Sequence, residues 1–217
     1  MAEIDLLKLA RDFNDNVTNA LVNEDFKSNY RKSTTFTGQF YRLMEEVLKS
    51  NNIAEYKKFD EYKKQQLYYQ KEKLTVDLTV WKSENDGKII TKSKQEMPYL
   101  LDGYIWKYIL LIEHENSGKT WLQEMQKLCT ISSKYKLIIT YGRNEKDENG
   151  FKKTGDYKGV NILKYATKIL NNYDDITFEE FVIMFGEENP NIDKLNGKKV
   201  YDIWLCKKGE SMFTRVD

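Results

Sequence analysis

Three acidic residues stand where their neighbours are aliphatic, and their spacing suits the binding of a divalent metal. Asp77 interrupts the strand-like run KLTVDLTVWK, and in ILLIEHEN two glutamates, Glu113 and Glu115, follow four consecutive aliphatic residues. Strand alternation puts Asp77 on one face with Thr79 and Trp81, and Val76, Leu78 and Val80 on the other. The same alternation gives Glu113 and Glu115 one face with Leu111 and aims His114 the opposite way with Ile112. Like charges two residues apart repel, and burial makes each costlier. A shared cation removes both penalties. Mg2+ takes carboxylate oxygens, usually one or two beside several waters, and a bound metal can polarise a phosphodiester and lower the pKa of an attacking water. Taken singly, Asp77 could border a loop and EHEN could be an exposed strand end. Together, at the ends of two hydrophobic strands, they point to a site.

The remaining reactive residues give less. His114 is the only histidine; without a cysteine cluster it makes no zinc pattern, and its parity points to a structural role at the strand end. Gly118, Lys119 and Thr120 lack the upstream glycine of a phosphate-binding P-loop. Cys129 and Cys206 are too few for a disulfide framework and read as buried reduced thiols. Lysines 57, 58, 63, 64, 71 and 73 interleave with Tyr56, Tyr62, Tyr68 and Tyr69. That mixture could track a phosphate backbone and stack on bases, or form a solvated face. Gln123, Gln126 and Lys127, on the polar side of a helix over 120–131, carry the same two readings.

The elements that position these residues follow from periodicity. Ile4, Leu7, Phe13, Val17 and Leu21 fall on an approximate helical stripe. Phe36, Phe40, Leu43, Val47 and Leu48 form another, with Asn51 and Asn52 as its stop. Residues 55–73 read as a polar helix or as a loop leading into a sheet. KLTVDLTVWK predicts a strand, Asp86 and Gly87 a hairpin turn, and KIITKSK the returning strand. YIWKYILLIEHEN predicts a central strand buried on both faces. A helix with Trp121, Leu122, Met125, Leu128 and Cys129 inward comes next, then the strand YKLIITYG. A second such helix turns Ile162, Tyr165, Ala166, Ile169 and Leu170 inward, and two late strands, FEEFVIMFG and VYDIWLCKK, complete the series.

With 217 residues, 40% of them hydrophobic, the chain can bury a substantial core. Fifteen Tyr, ten Phe and four Trp argue against pervasive disorder. The formal net charge of +1 neither demands nor forbids a polyanionic partner. No apolar run approaches the roughly 18 residues of a membrane span, and residues 1–20 carry no signal-peptide pattern. The expectation is a cytoplasmic protein with no membrane partner.

VDLTVWK, ILLIEHEN and WLQEMQKL together resemble the core of the PD-(D/E)XK restriction-endonuclease-like nucleases, over about residues 36–141. The resemblance implies an α/β fold with a restriction-endonuclease-like core, a central mixed sheet flanked by helices. Its order is a helix, three antiparallel strands, a crossover helix and a further strand. A C-terminal extension of helix and strands completes a single domain of residues 1–217. Asp77 and Glu113 map onto the family's metal ligands, for Mg2+ with Mn2+ as a substitute. The position usually held by lysine is Glu115, as in some restriction enzymes that are similar in this respect; it would join the metal or position the water. Members often add an acid from the first helix of the core. Glu46, bordering the Leu43 side of that helix while Glu45 faces away, is the candidate, with a surface ion pair as its alternative. Lys119 is the candidate for a displaced lysine, whereas Lys82 has the wrong parity. The implied activity is metal-dependent hydrolysis of nucleic-acid phosphodiesters, DNA first, by an endonuclease that could work as a homodimer. The alternative is a non-cleaving module of the same fold that binds nucleic acid or a protein partner.

Overall fold

The computed structural model describes residues 4–30, 34–56, 61–63, 65–73, 75–83, 87–88, 106–116, 120–142, 163–172, 177–186 and 199–216. Helix α1 (Leu6–Ala20) begins where the Asp5 carboxylate accepts the Lys8 amide at 2.8 Å, an N-cap that satisfies one orphan donor. Its apolar spacing buries Leu6, Leu9, Ala10, Phe13 and Val17. The short α2 (Glu24–Asn29) leads to α3 (Thr34–Ser50), which stops just before Asn51 and Asn52. Asn52 takes a φ of 60°, a left-handed conformation that asparagine tolerates better than most residues.

The segment left open between polar helix and loop is neither of these alone. It holds the two-residue strands β1 (Ala54–Glu55) and β2 (Glu61–Tyr62) and the longer β3 (Leu67–Lys73). Strand β4 (Val76–Ser83) runs antiparallel to β3 on one side and to β6 (Trp106–His114) on the other. KIITKSK is therefore not β4's partner as far as it is described. Gly87 and Lys88 form β5 (Gly87–Lys88), paired with β2 in a separate ladder, and residues 89–94 lie outside the described ones. The more apolar β6 takes the place expected for the returning strand, because pairing it with β4 buries Leu110, Leu111 and Ile112 completely.

After β6, helix α4 (Trp121–Cys129) leads to β7 (Tyr135–Tyr141), parallel to β6. Helix α5 (Leu163–Asn172) precedes β8 (Glu180–Gly186), parallel to β7. Strands β9 (Tyr201–Lys207) and β10 (Thr214–Arg215) add antiparallel pairs. One eight-stranded mixed sheet results, in the order β1-β3-β4-β6-β7-β8-β9-β10.

Alternation splits the core between the two faces of this sheet. Leu78, Val80, Leu110, Ile112, Leu137, Ile139, Val182 and Met184 pack with the residues of α1 to α3. Leu111, Ile138, Phe181, Ile183 and Phe185 pack with α4 and α5. Helices thus cover both sides of the sheet. The expected inward set of α5 needs one correction. Ala166 is buried, but Tyr165 is 41% exposed, since it lies one residue off the side that meets the sheet. The fully buried Lys136 of β7 secures the end of α4, its Nζ donating to the Ile131 carbonyl at 2.7 Å and to Ser133 Oγ at 2.9 Å. Burial lowers its pKa to about 8. Among the described residues, no helix is long and apolar enough to cross a membrane.

Candidate functional site

Asp77 sits where β4 and β6 part. Their paired register runs from Ser83↔Trp106 to Leu78↔Ile112 and stops there. Beyond that point the Asp77 carboxylate takes the role of a backbone acceptor. Its Oδ2 receives the His114 amide at 2.7 Å, and its Oδ1 receives the Tyr41 hydroxyl of α3 at 3.0 Å. The strict alternation expected for β4 fails at this end. Val76 joins the α4–α5 cluster rather than that of Leu78 and Val80. The ladder to β6 has ended by this point, while the pairing of β4 with β3 continues at Lys73↔Val76. Just before it, Thr75 adopts a φ of 61°, a costly conformation for a β-branched residue.

Glu113, the penultimate residue of β6, faces α4 as its parity predicts, and is 4% exposed. Lys127 of α4 reaches it, with Nζ 2.5 Å from Glu113 Oε1. The same ammonium pairs with Glu124 one turn away and donates to the Thr75 carbonyl at 2.9 Å. Burial pushes the pKa of Glu113 up to about 8; the charges of Asp77 and Glu124 add to that, and Lys127 offsets only part of it. Burial acts against the charge on Lys127 as well, but its contacts with Glu113 and Glu124 outweigh this and raise its pKa. Lys127 thus brings one positive charge to two carboxylates, of which Glu113 is the more deeply buried.

The other expected residues are distributed differently. Glu115 lies just past β6, half-buried, with its amide bonded to the Ile139 carbonyl at 2.9 Å. Glu46 stands on the exposed side of α3, its side chain 57% exposed and 4.0 Å from Arg42. The inward glutamate of α3 is Glu45, 16% exposed and ion-paired with Lys71 of β3. The assignment of Glu45 as facing away is thereby reversed, because β3 runs beside α3 and brings Lys71 to that side. Lys119 lies outside the described residues. His114 turns to the other layer, stacked on Phe40 of α3 at 3.9 Å and 10°, with Nε2 2.9 Å from the Tyr141 hydroxyl. Lys127 is the contact that sequence reasoning missed. Its only signal was a lysine on the polar side of α4, two turns from the helix start.

Mg2+ needs few protein ligands, hard oxygens among several waters. Asp77 and Glu113 supply such oxygens, and the charge of Asp77 adds to the cost of charge on Glu113; by type these donors suit a divalent cation. Among the described residues, no three His, Cys, Asp or Glu side chains are gathered as a ready-made metal cage. No protein-family model matches this chain, and no curated protein matches its sequence.

Proposed function

We infer that the chain hydrolyses nucleic-acid phosphodiester bonds, DNA first, with Mg2+ or Mn2+ held by Asp77 and Glu113. One observation carries this reading: a carboxylate buried at the end of β6 beside a second one at the point where β4 leaves it. The chain order of α3, the antiparallel strands β3, β4 and β6, the helix α4 and the parallel strand β7 supports a restriction-endonuclease-like core. That is the element order the family resemblance implies.

In this reading, Tyr41 and the His114 amide fix the orientation of the Asp77 carboxylate, so that it meets a cation without first losing side-chain freedom. Burial disfavours the charge on Glu113, so its carboxylate gains from a cation placed beside it. Glu115, at the half-buried rim, would complete the ligand set or orient the attacking water. Lys127 keeps an ammonium beside the developing negative charge. A bound divalent ion would supply the remaining chemistry, activating water and stabilising charge on the phosphoryl oxygens.

Cleavage of supercoiled plasmid and of single-stranded DNA in Mg2+ or Mn2+ tests this directly. Even residues behind a metal's ligands typically cost 10–100-fold when mutated, so Asp77→Ala and Glu113→Ala should each lower cleavage by about 100-fold or more. Metal-dependent cleavage that survives both substitutions would remove the reading. A second reading, a non-cleaving module of the same fold that binds nucleic acid or a protein partner, draws on a separate observation: Lys127 already neutralises Glu113. It predicts binding that chelator leaves unchanged.

A further inference from the structure

We propose that Lys127 is a resident counter-cation that a divalent ion displaces from Glu113, its ammonium withdrawing onto Glu124 and the Thr75 carbonyl. This rests on the reading of Asp77 and Glu113 as divalent-metal ligands and adds a built-in competitor to that site.

An ammonium has three protons, and this one has three acceptors from three parts of the chain. Glu113 comes from the end of β6, Glu124 from the previous turn of α4, and the Thr75 carbonyl from the turn before β4. The three contacts are unequal. The Glu124 side chain is 25% exposed and that of Glu113 only 5%. Water can replace a partner at Glu124, whereas Glu113 depends on whichever cation reaches it. A lysine bound to Glu113 alone would have to be expelled into solvent when a metal arrived. Lys127 need only give up one of three bonds and keep two.

Occupancy of Glu113 Oε1 is exclusive. The ammonium nitrogen lies 2.5 Å from Oε1, and a magnesium ion on the same oxygen would sit at about 2.0–2.1 Å. A monovalent and a divalent cation cannot share that position without strong repulsion. The divalent ion prevails when Asp77 lends a second carboxylate that Lys127 does not touch. Thr75 has a part in this. It holds the φ of 61° two residues before Asp77, and its carbonyl is the neutral acceptor on which the displaced ammonium stays anchored.

Displacement makes a quantitative demand. Apparent metal affinity is scaled down to the fraction of molecules in which Lys127 leaves Glu113 open. Calorimetric titration of Mn2+ into the full chain, with folding checked by circular dichroism, reads this without reference to catalysis. Lys127→Met should bind Mn2+ about tenfold tighter than the unsubstituted protein, because the competitor is gone. Lys127→Gln serves the same purpose if the methionine variant does not fold. Lys127→Arg, which restores a cation, should return the affinity to within about threefold of the original. Equal or weaker Mn2+ binding in the uncharged variants would overturn the proposal and make Lys127 a support of the metal instead. If neither the unsubstituted protein nor an uncharged variant binds Mn2+ at millimolar concentration, the metal reading itself falls, and displacement with it.

Discussion

Glu113 and His114 are adjacent on β6 and face opposite layers, and the two layers treat a polar side chain in opposite ways. Toward α1–α3, the His114 ring stacks on Phe40 and lies near Phe36. Its Nε2 meets the Tyr141 hydroxyl, which in turn lies 3.2 Å from the hydroxyl of Tyr201. Neutral groups hold that chain, and aromatic rings wall it in. Toward α4, the Glu113 carboxylate is more deeply buried than the half-buried His114 ring, yet its partner is a charged lysine that also serves Glu124 and Thr75. One face ends in packing, the other in a charge balance that a cation can change. Burial alone therefore does not distinguish a polar residue held by packing from one held in a charge balance. The nature of its partner does.

The largest effect expected of this contrast lies on the aromatic face. Phe40 is 1% exposed, so Phe40→Ala should destabilise the fold by about 3–5 kcal/mol in urea denaturation while Mn2+ affinity of the folded protein holds. A drop in affinity as large as the drop in stability would mean that the two faces are not separable. Gly186 probes the far end of the same aromatic group. A Cβ there would lie 2.5 Å from Tyr201 Cε1 and 3.0 Å from Tyr141 Cδ1. Both rings are packed, and the strain of Gly186→Ala should cost about 1–3 kcal/mol, again without effect on metal binding.

The carboxylate face should respond to pH instead. The folded-state pKa of Glu113 is raised from 4.5 to about 8. The folded protein then binds a proton that the unfolded chain has released, and stability falls as pH rises between those values. Glu113→Gln removes this dependence. Relative to the unsubstituted protein, the variant should gain roughly 2–4 kcal/mol between pH 5 and pH 8, and a gap that stays constant with pH would contradict the assignment. The smallest change expected is that of Tyr41→Phe, which removes one hydrogen bond to Asp77. It should cost about 0.5–1.5 kcal/mol and weaken Mn2+ binding only a few-fold.

Much of the frame was legible because its signals are local. The aliphatic run before Glu113 reads as a buried central strand, and the spacing of Trp121, Met125 and Leu128 reads as a helix with one inward side; both appear as such. The parity of Glu113 and His114 followed from the pleat alone. What was not legible depends on neighbours distant in sequence. That β6 pairs with β4 turns on apolar area further along the chain, which a turn signal does not report. Glu45 and Glu46 differ by one residue, and which of them turns inward depends on Lys71 lying in a strand beside α3. Val76 leaves its expected face at the end of β4 where the ladder to β6 has stopped. Lys127 was hidden for a related reason. Helical periodicity says which side of α4 meets the sheet, but not that the end of β6 and the turn before β4 reach the polar side too.

The most direct measurement is anomalous diffraction at the manganese edge from crystals grown in Mn2+. The account predicts one peak within coordination distance of both Asp77 and Glu113, with the Lys127 ammonium drawn back toward Glu124. A well-ordered map with no peak there, and Lys127 still on Glu113 at saturating Mn2+, would contradict it.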